Sequence, residues 1–270
     1  MRPLFDTHAH YTDDRFRTEF PGGPDALLRE IFAGGVEKII NVSTSTGSSS
    51  AVLSMSDRYP GMYAAVGVHP SDAADEESLP DAVRKLAGMI DADRKREGGR
   101  KIVAIGETGL DYPFQPVDRE LQHSFFEAQL LLAEETGLPV IIHDRDAHGD
   151  CFEAVLRHPG VRGVFHSFSG SPEMALELAK RGIYISFSGT VSFKNAPRVR
   201  AAAAAVPEEL ILIETDAPYL APVPYRGKLN RSDYAFHTAA AIADARGTDT
   251  DRILEVTYRN ACTLFFDRAE

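Results

Sequence analysis

Short runs of apolar residues recur along the chain at nearly regular intervals. They are rich in β-branched and aromatic residues and most are bounded by turn-forming residues, which is typical of buried strands. Eight such runs predict strands at residues 4–7, 36–42, 62–68, 101–106, 139–143, 161–166, 182–187 and 210–215.

The stretches between these runs carry helical patterns. Residues 118–136 repeat apolar positions every three or four residues until Gly137, which predicts one helix with a single buried face. Residues 172–181 predict another, because Pro172 suits a first helical position and Gly182 follows the basic last turn.

Strands that alternate with helices indicate parallel strands joined by right-handed crossovers. Eight such units need roughly 250 residues as a closed barrel, and this chain has 270. No Pro/Gly/Ser-rich linker divides it. The sequence therefore predicts an α/β protein that is a single (β/α)8 TIM-type barrel domain over residues 1–270, with a site at the C-terminal ends of its strands.

Composition narrows the function classes. The chain is 43% hydrophobic and 26% charged, as in a soluble globular protein, and its formal charge of -11 disfavours non-specific coating of nucleic acid. An enzyme that holds a few phosphates with metal ions is compatible with that charge. Without an apolar span or a leader pattern, the sequence predicts a cytoplasmic protein that has no membrane contact, and Cys151 and Cys262 are interpreted as reduced thiols.

Polar residues follow most of the predicted strands, where a barrel of this class carries its chemistry. These strand-end residues are His8, His10, His69, Glu107, His143, His166 and Asp216. A single histidine is more often structural than a ligand, but five of the nine histidines stand at strand ends, which favours a shared site. The other four, at 123, 148, 158 and 237, keep the structural interpretation.

Imidazole and carboxylate groups together suit a divalent metal. His8 and His10 lie two apart on one strand, as does Asp6 before them, so all three share a face. We expect His8, His10 and Asp216 to bind one ion, His143 and His166 to bind a second, and Glu107 to bridge both. Two ions about 3.5–4 Å apart would activate water and clamp the oxygens of a displacement. The ligand types do not distinguish Zn²⁺, Mg²⁺, Mn²⁺ and Ni²⁺.

Several motifs in order along the chain resemble those of one family. The sequence is similar to the TatD-like metal-dependent hydrolases of the amidohydrolase-type barrel superfamily, in FDTHAH, AVGVHP, AIGETGLDY, PVIIHDRDA, GVFHSFSG and IETDAPYLAPVPYRGK. The resemblance implies the same six metal ligands and a divalent-metal-dependent deoxyribonuclease that trims single strands. It implies a transient DNA or other phosphodiester partner and no obligate protein partner.

Three departures from the family pattern concern substrate binding. Asp144 adds an acid beside His143, which should weaken phosphate binding unless Arg145 offsets it. Ser167 is a small change beside His166, and residues 229–233 differ from the usual loop, so they predict a different treatment of substrate.

The expected roles follow from hydrolysis by a metal-activated water. Asp216 is predicted to accept the proton of the water as general base, with Glu107 as the second catalytic residue. We expect Asp111 to orient a neighbour and Glu214 to face the core or a helix. The residues predicted to bind substrate phosphates are His69, Arg145, Lys194, Arg226 and Lys228.

Two other functions remain open at this point. The same metal ligands could serve an amide, ester or lactone hydrolase, which would need an apolar cavity rather than converging cations. A non-catalytic metal-binding interaction protein is the third hypothesis. The sequence does not determine the physiological metal, the choice between DNA, RNA and small molecules, the polarity of digestion or the oligomeric state.

Overall fold

The structure is a computed structural model that describes residues 3–113 and 118–266. Within these residues the chain forms eight strands and ten α-helices. The strands are β1 (Leu4–Ala9), β2 (Val36–Val42), β3 (Met62–Val66), β4 (Ile102–Asp111), β5 (Val140–Arg145), β6 (Gly163–Phe165), β7 (Tyr184–Phe187) and β8 (Ile211–Ile213). The helices are α1 (Asp14–Glu19), α2 (Gly23–Ala33), α3 (Thr46–Asp57), α4 (Leu79–Arg94), α5 (Arg119–Thr136), α6 (His148–Arg157), α7 (Pro172–Ala179), α8 (Pro197–Ala205), α9 (Ala235–Arg246) and α10 (Thr250–Phe265).

The strands follow one another in the sheet in the order β1 to β8. The pairings of β1 with β2, β3 with β4, β4 with β5, β5 with β6 and β7 with β8 are all parallel. Helices alternate with these strands, as right-handed parallel crossovers require. The predicted (β/α)8 fold class is confirmed.

The chain divides into two compact units. The first combines the chain up to Asn41 with the chain from His166 onward, and the second consists of residues 42–165. The single-domain organisation inferred from the sequence stays a prediction.

In the first unit, β1 lies between β2 and β8. The backbone N–H of His10 donates to the Ala217 carbonyl at 2.7 Å, and that of Asp216 donates to the His8 carbonyl at 2.9 Å. The Thr7 hydroxyl donates to the Ile213 carbonyl at 2.9 Å. These bonds bring the residues that follow β8 to the end of β1.

Aromatic side chains pack against β1 and against the segment that follows it. The Phe5 ring lies 6.2 Å from that of Phe265 and 5.9 Å from that of Phe266, at the end of α10. Tyr11, which is fully buried, stacks on Phe16 of α1 at 4.7 Å. Burial of such large rings contributes much of the hydrophobic free energy of folding.

In the second unit, β4 and β5 approach each other very closely. A Cβ atom added at Gly109 would lie 1.9 Å from the His143 carbonyl oxygen, and the φ of Gly109 is +142°. Only glycine adopts this conformation without strain. The close pairing continues to Asp111 opposite Arg145, so β4 runs five residues beyond its predicted end at Gly106.

The serine-rich segment after β2 caps a helix. Ser45 accepts a hydrogen bond from the Ser48 N–H, and the Ser48 side chain bonds back to the Ser45 backbone, which forms a capping box at the start of α3. The Ser43 hydroxyl lies 2.8 Å from that of Ser49 and accepts from the Gly67 N–H at 3.0 Å. These hydroxyls therefore serve the fold.

Among the residues that the structure describes, no helix combines the length and the apolar character needed to cross a bilayer.

Candidate metal centre

Two histidines and one aspartate converge at the end of β1 in the first unit. The Nε2 atoms of His8 and His10 lie 3.0 Å apart, as their shared strand face predicts. The Asp216 Oδ1 atom lies 3.4 Å from His10 Nε2 and 3.7 Å from His8 Nε2. Three potential ligand atoms, two nitrogens and one oxygen, thus point toward one another.

Asp216 reaches this position through an unusual backbone conformation. Its φ is +58°, in the left-handed region, and its N–H is held by the His8 carbonyl. Non-glycine residues in this region are uncommon and concentrate at functional sites. Its carbonyl accepts from the Tyr219 N–H at 2.7 Å, so the segment turns while the side chain faces the histidines.

The electrostatics of the first unit keep Asp216 ionised. Burial disfavours the charged carboxylate, but the hydrogen bond with His10 and the electrostatic interactions with His8, His10 and His166 outweigh burial and lower its pKa. A bound cation would act in the same direction.

His166 and Glu214 extend this cluster. The His166 ring stacks on that of His8 with centroids 4.1 Å apart. Its Nδ1 atom lies 3.2 Å from Glu214 Oε1, which also accepts the Ser167 N–H at 2.8 Å. His8, His166 and Glu214 offer ligand atoms that all lie within 4.8 Å of one another.

Glu214 differs from its sequence-based expectation. It faces His166, whereas we expected it to face the core or a helix. The expectation assumed strand alternation through residue 215, but β8 ends at Ile213, so alternation no longer applies at Glu214.

Asp6, on the same strand face, has another role. Its carboxylate accepts from the Thr215 N–H at 2.9 Å and from the Thr215 hydroxyl at 2.6 Å, so it links β1 to the segment after β8. Complete burial raises the pKa of Asp6 to about 7 despite these hydrogen bonds.

The second unit contains its own cluster at the ends of β4 and β5. His143 Nδ1 lies 2.7 Å from Glu107 Oε1, and His143 Nε2 lies 3.1 Å from Asp111 Oδ2. His69 Nε2 is 3.8 Å from Glu107 Oε1. Ligand atoms of His69, Asp111 and His143 all lie within 4.8 Å of one another.

Asp111 has a larger part in this cluster than expected. Burial disfavours its charged form, but the hydrogen bond with His143 and the nearby positive groups outweigh burial and lower its pKa. It touches His143 directly, as an orienting group does, and it is equally placed to act as a ligand.

The donor atoms in both units fit a divalent cation. Each cluster combines imidazole nitrogens with carboxylate oxygens, the mixture that borderline divalent metals favour. Among the described residues, Glu214 Oε2 in the first unit and Asp111 Oδ1 in the second are buried without a hydrogen-bond partner. Buried carboxylate oxygens without a partner are costly, and coordination of a cation would compensate them.

The added acid near the end of β5 has a histidine partner. Asp144 Oδ2 lies 2.7 Å from His148 Nδ1, and the Asp144 side chain is only 4% exposed. Arg145 is 65% exposed and its guanidinium lies 4.0 Å from the Asp111 carboxylate. One carboxylate oxygen of Asp144 is therefore engaged by His148, and the weaker phosphate binding that we expected from Asp144 stays a prediction.

The departing loop at residues 229–233 is tied to the body of the first unit. Asn230 is fully buried and its amide donates to the carbonyls of Thr215 and Tyr219 at 2.8 and 2.6 Å. Arg231 forms ion pairs with Asp233 and Glu30. Through Asn230 this loop holds the backbone of Tyr219, which follows Asp216 by three residues.

The predicted phosphate-binding residues of the first unit line two neighbouring cavities. Arg226 and Lys228 line a cavity of about 310 Å³ together with Arg15 and Tyr219. Lys194 lines a separate cavity of about 630 Å³. Arg226 and Lys228 thus share one cavity and Lys194 lines the other, and the predicted role of these residues in binding phosphate stays a prediction.

The remaining histidines have structural contacts. His123 Nε2 lies 3.0 Å from the Tyr112 hydroxyl, and His158 lies between Glu127 and Glu134. The His237 ring packs edge-on against that of Tyr225, at 5.2 Å.

Comparison with known proteins identifies the family. The family model described as TatD related DNase matches residues 5–266. The chain is 37% identical over 267 residues to the "Uncharacterized metal-dependent hydrolase YabD" of Bacillus subtilis, covering 97% of this chain and 98% of that protein. It is 35% identical over 265 residues to the "Uncharacterized metal-dependent hydrolase YcfH" of Escherichia coli, covering 97% and 95%.

A solved structure supports the same assignment. The crystal structure of YjjV, a TatD homologue from Escherichia coli K12, superposes with a TM-score of 0.87 at 30% identity, covering 98% of each chain. With a family model that matches almost the whole chain, these similarities show that the protein belongs to the TatD family.

Proposed function

We propose that this metal-dependent hydrolase is a deoxyribonuclease that cleaves phosphodiester bonds in single-stranded DNA from an end. The observation that carries the proposal is the juxtaposition, in the first unit, of the His8–His10–Asp216 cluster with a cavity whose charged lining residues are all cations. The description of the matching family as TatD related DNase supports it.

The two clusters support a proposed set of metal ligands. His8, His10 and Asp216 would hold one ion, with His166 and Glu214 beside them, and Glu107 and His143 would hold another, with His69 and Asp111 beside them. The bridging role of Glu107 and the sharing of one ion by His143 and His166 stay predictions. When bound, divalent ions lower the pKa of water and neutralise charge on phosphoryl oxygens.

Asp216 supplies the proton acceptor. Its lowered pKa keeps the carboxylate ionised at neutral pH, and His8 and His10 fix its position. A carboxylate that remains ionised and is held beside the reacting water serves as a general base. Asp216 therefore takes the proton of the attacking water, while cations such as Arg226 and Lys228 bind the phosphate that is cleaved or its neighbour.

The lining of the cavity favours an anionic substrate over a neutral one. A small amide, ester or lactone would gain little from Arg15, Arg226 and Lys228 and would be expected in an apolar cavity. A phosphodiester gains charge-assisted hydrogen bonds from the same residues.

The proposed function is tested by removing Glu107. The purified protein is stripped with a chelator and reloaded separately with Zn²⁺, Mg²⁺, Mn²⁺ or Ni²⁺, and product lengths are mapped on a labelled single strand. Glu107→Ala is expected to lower activity by about 100-fold or more, because a ligand of the metal cluster is lost. Glu77→Ala, which removes an exposed carboxylate of the same unit, should leave activity unchanged.

Undiminished cleavage by Glu107→Ala would contradict the two-metal proposal. Hydrolysis of small esters, amides or lactones with no cleavage of DNA or RNA would contradict the nuclease proposal.

A further inference from the structure

The cavity next to Asp216 carries an inference about how the substrate is held, and this inference rests on the proposed function. We propose that it binds the nucleotide next to the scissile phosphodiester of single-stranded DNA. The base stacks on Tyr219, and the phosphate of that nucleotide binds to Arg226 and Lys228.

Tyr219 is an exposed aromatic ring on a fixed backbone. Its side chain is 44% exposed, although its N–H donates to the Asp216 carbonyl at 2.7 Å and its carbonyl accepts from Asn230 at 2.6 Å. Its hydroxyl donates to Asp13 Oδ2 at 2.6 Å. A ring that is already ordered loses little conformational entropy when a base stacks on it.

Arginines accompany both aromatic rings of the cavity. The Arg15 guanidinium lies 5.6 Å from the centre of the Tyr219 ring, and the Arg226 guanidinium lies 4.4 Å from the centre of the Phe193 ring. Stacking surfaces flanked by cations are the recurring feature of proteins that bind single strands.

The charge of the cavity is opposite to that of the chain. The protein carries a formal charge of -11, yet the charged residues that line this cavity are Arg15, Arg226 and Lys228. Arg15 is neutralised by Glu19 at 2.7 Å. Within residues 3–113 and 118–266, Arg226 and Lys228 make ring contacts and form no ion pair with a carboxylate, so both can bind an anion.

The position and the volume of the cavity suit one nucleotide. Tyr219 follows Asp216 by three residues, and its N–H donates to the Asp216 carbonyl. The Tyr219 ring therefore lies close to the residue that is proposed to accept the proton. The cavity measures about 310 Å³, enough for one base with its phosphate. A base in a duplex is already stacked and paired, so a ring of this kind selects an unpaired strand.

The inference is tested with a fluorescently labelled octathymidylate whose phosphorothioate linkages resist hydrolysis. Its affinity is measured by anisotropy with and without chelator, in parallel with cleavage of the ordinary oligonucleotide and of bis(p-nitrophenyl) phosphate, which has no neighbouring nucleotide. We expect Tyr219→Leu to weaken binding of the oligonucleotide about tenfold, with or without metal, and to lower its kcat/KM much more than that of the small diester.

Two variants separate stacking from other effects. Tyr219→Phe keeps the ring and loses only the bond to Asp13, so it should bind the oligonucleotide like the wild type. Replacing both Arg226 and Lys228 by Gln should weaken binding and reduce its dependence on salt by roughly two phosphate contacts. Phe236→Leu is the matched control, because Phe236 is also 44% exposed but lies on α9 outside this cavity. Thermal unfolding of each variant confirms that it is folded.

The outcomes distinguish this inference from the proposed function. If the wild type cleaves DNA while Tyr219→Leu and the double variant bind and cleave like it, the inference is overturned and the proposed function stands. If the wild type cleaves no phosphodiester but loses about tenfold in oligonucleotide affinity on Tyr219→Leu, the proposed function fails and the nucleotide-binding cavity is supported.

Discussion

Glu214 shows how a single buried carboxylate organises its neighbours. One oxygen holds the backbone N–H of Ser167 and faces His166 Nδ1, which fixes the plane of a ring that stacks on His8. Ser167 has a φ of +40°, so this carboxylate also holds a backbone conformation that non-glycine residues rarely adopt.

The Glu214→Gln variant tests that role. The amide keeps the shape but loses the charge that favours a neighbouring cation, so affinity for the divalent metal should fall by about 10- to 100-fold. Metal affinity is measured by competition with a chromophoric chelator, and Glu209→Gln, which alters an exposed acid five residues earlier, is the control. Equal affinities in the two variants would show that Glu214 has only a structural role.

The histidines of the two candidate clusters could be predicted from the sequence, but not all of the carboxylates that lie beside them could. His8 and His10 could be predicted to lie together because strand alternation alone brings their rings to the same face. The position of Glu214 could not be predicted, since it depends on the left-handed turn at Asp216 and on Ser167, which lies 47 residues away in sequence. Contacts of that kind are set by tertiary packing and leave no local pattern.

At the scale of elements, the types and order of strands and helices were predictable, but several ends were not. β2 begins and ends where the apolar run does, and α5 begins after Asp118, which caps it, and ends at Gly137 with a φ of +66°. β4 was predicted to stop at Gly106 because the apolar run ends there. There the glycines instead permit close approach to β5, which only the paired structure reveals.

The contact between α5 and the end of α6 makes stability depend on pH. His158 lies 2.8 Å from Glu127 and 3.1 Å from Glu134, and Arg157 also pairs with Glu127. Burial lowers the pKa of His158, but the two glutamates raise it more, so the net shift is upward. Because the pKa of His158 is higher in the folded protein than in the unfolded chain, protonation of His158 stabilises the fold. This contribution is fully present below the unfolded pKa near 6.5 and is lost as the pH rises through the folded pKa.

His158→Gln should therefore cost more stability at pH 5.5 than at pH 8.5. We expect a difference of about 1 kcal/mol or less, because the pair is close to the surface. The free energy of unfolding of both proteins is measured by urea denaturation at the two pH values. An equal loss of unfolding free energy at pH 5.5 and pH 8.5 would contradict a charge interaction between His158 and the two glutamates.

At the scale of the whole molecule, the negative charge limits how the proposed DNA substrate can be bound. A chain with a formal charge of -11 repels a polyanion at long range, so binding depends on a few local cations and on bound metal. The family assignment and the cationic cavity are compatible with that limit, because both concern a small part of the surface.

The dependence on salt follows from the same feature. Two phosphate contacts on a single strand correspond to a slope of roughly -1.4 in a plot of log affinity against log salt concentration. We expect a slope no steeper than about -2 without metal, and a larger gain in affinity on adding Mn²⁺ than on lowering salt. Anisotropy titrations across a salt series check this, and a steep slope in chelator would contradict it.

The first unit is assembled from two parts of the chain, and the bonds that join β1 to the segment after β8 connect residues more than 200 positions apart. During translation, His8 and His10 therefore leave the ribosome long before Asp216 is made. Residues 42–165 are continuous in sequence and leave the ribosome earlier. A nascent chain must thus keep its first strand unpaired on one side until nearly the whole protein has emerged, and the candidate metal cluster of the first unit is among the last features to form.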